Sequence, residues 1–182
     1  DIEPSRGLGD VYKRQACYKS SKFATELAKR TGAKLNVFHI STQMELDLFE
    51  NTLPVEQKKI TAEVCAHHLW FTDKDYEKLG SKIKWNPAIK SKSDKDSLWK
   101  AIKEDKIDII ASDHAPHTEI EKENSYFNCP SGGPMVQHTI ISLLDESPKH
   151  GVNIEKVIEK IAHNPAKILS LIHISEPTRR LN

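Results

Sequence analysis

The sequence predicts a parallel α/β fold that forms part of a (β/α)8 barrel, covering about three of its strands. Strand-like and helical segments alternate through residues 16–168, which is the pattern of repeated βα units. His39, the His67–His68 pair and Asp113 fall at or just beyond the C-terminal ends of successive strands. That face carries the active site in (β/α)8 barrels. A doubly wound sheet also fits the alternation, and the placement of the polar residues is what favours the barrel. A closed barrel of this kind takes about 250 residues, so three legible strands make a partial one.

The elements follow from local pattern. Phe23, Leu27 and Ala28 recur at helical spacing within residues 20–30, and Thr31-Gly32 supplies a stop. Residues 35–40 form a short apolar run that reads as a strand ending near His39. Thr42 can cap a helix over residues 43–51, with Glu45 completing part of a capping box. A second strand is expected at 60–65, and a short polar helix from Asp73 to near Gly80. Ser93 or Asp94 can cap a helix over 95–104 that aligns Leu98, Trp99 and Ile102 on one face. Residues 107–111 are β-branched, bounded by charges, and read as the clearest strand. Residues 118–134 are polar and rich in Gly and Pro, and are expected to form a long mobile loop that closes over substrate. Helices are expected at 136–145 and 154–162, then a short one after Asn164-Pro165.

Composition narrows the function. A net charge of +1 over 182 residues gives no field that would favour nucleic acid or a membrane surface. The lysines of residues 82–95 are interleaved with Asp and Ser and read as a solvated face. No apolar run approaches the ~20 residues of a membrane span, and no signal peptide is visible, so a cytoplasmic protein is expected. Cys17, Cys65 and Cys129 are widely spaced without a CxxC pair, and read as buried or reduced thiols rather than metal ligands.

The two ends read differently from the middle. Asp10 through Gln15 translate GAT GTG TAT AAG AGA CAG, the end of a transposase sequencing adapter. Leu169 through Ile174 translate the reverse complement of the same end. Residues 1–15 and 169–182 are therefore expected to be adapter-derived and to pack little apolar surface, which leaves 16–168 as the protein.

Two side chains stand out chemically. Asp113, in Ser112-Asp113-His114-Ala115-Pro116-His117, places a carboxylate at a strand end, where it can bind zinc and exchange protons with water. His39 ends another strand, and a neutral imidazole is a common zinc ligand. The two are expected at the same end of adjacent strands, facing one cavity.

In this order and spacing, FHIST, TAEVCAHHLWFTDKDY, KWNPAIK, DIIASDHAPHT and CPSGG resemble the C-terminal portion of bacterial dihydroorotases, of the amidohydrolase superfamily, from about residue 16 to 168. The resemblance implies strands six to eight of a metal-dependent amidohydrolase barrel. It implies His39 as a metal ligand, Asp113 as metal ligand and catalytic proton shuttle, and two zinc ions in the intact site. It also implies that His117 contacts the substrate carboxylate, Asn86 the pyrimidine ring, and Pro130, Ser131 and Gly132 the substrate through the loop backbone. His67 and His68 take structural or supporting places. The implied reaction interconverts N-carbamoyl-L-aspartate and L-dihydroorotate in pyrimidine synthesis, with self-association or association with aspartate transcarbamoylase. A hydantoinase or allantoinase, or an inactive scaffold subunit, are the other readings. The family's strand-one HxH pair, its bridging carboxylated Lys or Asp, its strand-five His and its substrate-binding Arg and Asn near strands one and two have no counterpart in this sequence.

Overall fold

The structure is a computed structural model that describes residues 6–171, with side chains from Lys13 onward. Three strands, β1 (Leu35–Val37), β2 (Ile60–Cys65) and β3 (Ile109–Ala111), form one parallel sheet in the order β1-β2-β3. Leu35 pairs with Ile60, and Cys65 with Ala111. The ladder runs past the strand ends: Ile40 N–H donates to the Glu63 carbonyl at 2.7 Å, and Asp108 N–H to that of Ala62 at 2.9 Å. These two bonds continue the ladder to Ile40 and back to Asp108, although the left-handed backbone of His39 interrupts the extended run before Ile40.

The helices are α1 (Arg6–Thr31), α2 (Ala66–Trp70), α3 (Tyr76–Leu79), α4 (Lys92–Lys103), α5 (Glu119–Lys122), α6 (Thr139–Glu146), α7 (Ile154–Ile158) and α8 (Asn164–Ile168). One face of the sheet packs Ala62, Val64 and Ile110 against Leu98, Trp99 and Ile102 of α4, all nearly solvent-free. Burying such side chains stabilises by roughly 1.5–3 kcal/mol each, so this layer fixes β2 and β3 under α4. Asn36, Glu63, Ile109 and Ala111 line an open groove of about 610 Å³ with residues of α6 and α8. A second, smaller core of Ala66, Ile83, Trp85, Ile89 and Met135 lies beyond the strand ends.

Several expectations change in detail. Residues 43–48 wind as a 3-10 helix, and the Thr42–Glu45 capping box is complete. Helix α4 starts at Lys92 under Ser91, whose hydroxyl accepts from Asp94 N–H. Asp94 is engaged elsewhere, by Gln43 N–H at 3.0 Å and by the Arg14 guanidinium at 2.9 Å. Residues 66–70, unassigned from sequence, form α2.

The segment 118–134, expected as a mobile loop, contains α5 and is tied down by two lysines. Lys122 Nζ donates to the carbonyls of Lys84, Pro130 and Gly132 at 3.2, 3.0 and 2.9 Å. Lys84 Nζ donates to those of Tyr126 and Cys129 at 2.7 and 2.6 Å. Of the terminal segments, Arg6 to Gln15 continue α1, and Leu171 is 39% exposed. The side chain of Val11, residues 1–5 and the segment from Ile172 lie outside the described residues.

Candidate active site at the C-terminal ends of the strands

His39 and Asp113 sit at the same ends of β1 and β3, each in left-handed backbone, with φ of 43° and 46°. The turn after His39 is locked from below. The buried Glu45 carboxylate accepts from Ser41 N–H at 3.3 Å, Thr42 N–H at 3.1 Å, Thr42 Oγ1 at 2.9 Å and Ser21 Oγ at 2.7 Å. The Ser-Thr of HIST thus buries its polar atoms with partners and leaves the half-buried His39 imidazole at the rim. After β3, Ala115 N–H donates to the Gly133 carbonyl at 3.2 Å and Val136 N–H to His114 Nδ1 at 3.1 Å. These bonds fix the turn that carries Asp113, whose carboxylate is 38% exposed.

Two corrections to the expected geometry follow. His39 and Asp113 are not on adjacent strands, because β2 runs between β1 and β3. Nor do they line the 610 Å³ groove, which is bordered by Phe38 and Ser112, the residue before each. The left-handed turns carry His39 and Asp113 past the strand ends and off the face of the sheet.

The intervening strand contributes groups that the sequence reading passed over. Burial pushes the Glu63 carboxyl up to about 7, against the Asn36 amide; the neighbouring Asp113 carboxylate pushes the same way as burial, and the His39 backbone N–H opposes it. Its signal in the sequence is a lone carboxylate alternating with Ala62 and Val64 on an apolar strand. His67 is fully buried and stacks on Trp85, with centroids 4.5 Å apart and planes 7° from parallel. Its Nε2 lies 4.0 Å from Asp113 Oδ2, beyond hydrogen-bond range. Burial, with the His39 imidazole nearby, pushes His67 down to about 3, so its ring is neutral. His68 is held well below the ordinary histidine value by burial and by His67. Its Nε2–H donates to the Pro87 carbonyl at 3.0 Å.

The residues expected to touch substrate meet at Ser131. Asn86 Nδ2 donates to Ser131 Oγ at 3.0 Å, and His117 Nε2–H to the Ser131 carbonyl at 3.1 Å. Gly132 follows at φ 123°, where a Cβ would come within 2.6 Å of the Ala115 carbonyl oxygen. Only glycine fits that approach. The Pro130 carbonyl is turned to Lys122, which takes its oxygen out of the set facing Asn86 and His117.

One imidazole and one exposed carboxylate suit zinc in kind. They are fewer than the three protein ligands that a zinc site keeps.

No family model matches the chain. Among curated proteins, it is 35% identical over 167 residues to the dihydroorotase of Carboxydothermus hydrogenoformans, covering 91% of this chain and 38% of that protein. It is 32% identical over 154 residues to the allantoinase of Bacillus velezensis, covering 81% of this chain and 33% of that one. Among solved structures, the L-hydantoinase of Arthrobacter aurescens superposes with a TM-score of 0.77 at 23% identity, over 85% of this chain and 35% of that one. The chain spans about a third of the length of the curated relatives it matches. By sequence the chain is similar to the dihydroorotases over that third of their length, and by fold it is part of a (β/α)8 barrel.

Proposed function

We propose that this chain supplies strands six to eight of a zinc-dependent dihydroorotase, a cytoplasmic enzyme of pyrimidine synthesis that interconverts N-carbamoyl-L-aspartate and L-dihydroorotate. Residues 16–168 make up that portion, and residues 1–15 and 169–182 are adapter-derived. The observation that carries the reading is the matched pair His39 and Asp113, held in left-handed backbone at the same end of the sheet. Strained backbone of this kind is concentrated at functional sites.

His39 and Asp113 would hold zinc, which when bound acidifies water and polarises the ring carbonyl. Asp113 takes the proton of the attacking water and delivers it to the ring nitrogen as the amide bond breaks, acting as base and then acid. That leaves the carboxylate as it began. His117 would exchange its Nε2–H bond to the Ser131 carbonyl for one to the substrate carboxylate, and Asn86 would offer its second amide N–H to the ring while Ser131 holds the first.

The test replaces the matching third of the Carboxydothermus dihydroorotase with residues 16–168 and follows dihydroorotate ring opening by absorbance. We expect turnover that falls by roughly 10²–10⁴ in Asp113→Asn, the range for losing a general acid–base group. A chimera that opens hydantoin or allantoin but not dihydroorotate would overturn the substrate assignment.

A further inference from the structure

We propose that Cys65, His67 and His68 form a second metal site, of mixed thiolate and imidazole donors, for a divalent cation of the zinc class. The proposal is independent of the dihydroorotase reading, since none of the three is a ligand there. Strand β2 ends at Cys65 and α2 begins at Ala66, so the chain passes from extended to helical within one residue. That change brings Cys65 Sγ and a nitrogen of each imidazole within 4.8 Å of one another. All three side chains are buried, His67 and Cys65 completely.

Both nitrogens of His67 and Nδ1 of His68 have no hydrogen-bond partner. Native interiors rarely leave buried polar atoms in that condition, and an absent ion is one of the standard reasons. The His68 arrangement is specific. Its Nε2–H is given to the Pro87 carbonyl, which fixes the tautomer whose Nδ1 lone pair is bare. Metal-bound histidines are oriented in this way, with the second ring nitrogen donating to a backbone carbonyl. His67 is held by its stack on Trp85, and a neutral imidazole is the ligating form.

One sulfur and two nitrogens form a softer donor set than the imidazole and carboxylate of His39 and Asp113, and suit zinc. A cysteine binds a cation as its thiolate. Binding then breaks the Cys65 S–H bond, forms a sulfur–metal bond, and releases that proton to solvent. Water takes the fourth position, as in open zinc sites with three protein ligands. The reading of Cys65 as an inert thiol therefore changes, whereas Cys129 gives its Sγ–H to backbone carbonyls.

The experiment titrates the metal-stripped full chain with Co²⁺. The expected result is a thiolate-to-cobalt charge-transfer band, a proton released per cobalt, and bleaching of the band by Zn²⁺. The band should persist in Cys17→Ser/Cys129→Ser and in His39→Ala, and vanish in Cys65→Ser. His67→Ala and His68→Ala should each weaken binding by more than the roughly 10–100-fold that follows loss of an outer-shell partner. Because a buried substitution can unfold the chain, zinc-edge X-ray absorption on the Cys17→Ser/Cys129→Ser protein gives a second readout, with sulfur expected at about 2.3 Å. Cobalt bound without a thiolate band, a zinc shell of nitrogen and oxygen alone, or no binding would overturn the proposal; the bare nitrogens would then hold water.

Discussion

His39 and Asp113 adopt the same backbone conformation, φ 43° and 46°, each two residues past the last residue of its strand. Left-handed backbone costs an L-residue roughly 1–2 kcal/mol, and a glycine carries no such cost. We expect His39→Gly to stabilise the fold by up to about 1 kcal/mol, after allowing for glycine's greater freedom in the unfolded chain. Urea denaturation measures it. A loss of stability would mean that the imidazole's packing, and not its backbone, dominates at this position.

Lys122 is 6% exposed and its ammonium is shared among three carbonyls of the 84–132 region. Lys122→Met keeps the stem and removes all three bonds. A hydrogen bond to a charged group contributes roughly 1.5–3 kcal/mol, but Lys84 retains its own grip on Tyr126 and Cys129. We expect a loss of about 2 kcal/mol, and faster amide exchange confined to residues 118–134. Unchanged exchange there would show that Lys84 alone orders the segment.

Asp105 joins α4 to the last helices through Lys160 Nζ at 2.6 Å and Lys156 Nζ at 2.9 Å. Burial pushes its carboxyl up, but the Lys160 and Lys156 ammoniums outweigh it and hold the carboxyl below its usual value of 3.8. A depressed carboxyl contributes stability above the unfolded value, and that contribution disappears as pH falls through the folded one. Asp105→Asn should therefore destabilise at pH 7 and approach the parent's stability below about pH 3. The carboxylate is 45% exposed, so solvent screening limits the effect to roughly 1 kcal/mol. Thermal melts at both pH values decide it, and equal losses at each would rule out the electrostatic account.

HIST and DHAPH stand out in the sequence because each puts an imidazole or a carboxylate, groups able to bind metal or carry a proton, just after an apolar run, and that is a local pattern. Glu63 and Trp85 were not. Glu63 matters through its two neighbouring strands, and Trp85 through a stack on His67 that crosses 18 residues of sequence. The cap of α4 failed for a related reason. Ser91, Ser93 and Asp94 are all competent caps, and the choice is made by Gln43 and Arg14, which claim the Asp94 carboxylate. Residues 6–15 lack an apolar stripe yet continue α1; periodicity reports a buried face, whereas helix formation also follows from propensity, and Lys13, Arg14 and Gln15 are good helix formers.

The chain by itself should not open dihydroorotate, even with zinc supplied. Hydrolysis of a cyclic amide by a metal-acidified water needs the cation held firmly and the substrate fixed beside it. His39 and Asp113 give two ligands where a zinc site keeps at least three. The family's HxH pair and strand-five histidine have no counterpart in the sequence. The face of the sheet below them is an open groove bordered by Phe38, Ile109 and Ile140, which cannot exclude water from the reacting atoms. We expect the chain with zinc to match a His39→Ala/Asp113→Ala double mutant, while the chimera with the relative's remaining barrel turns over. Activity of the chain alone above that mutant would show that a neighbour completes the ligand set. Glu63, beside Asp113 on the middle strand, would be the residue to substitute next.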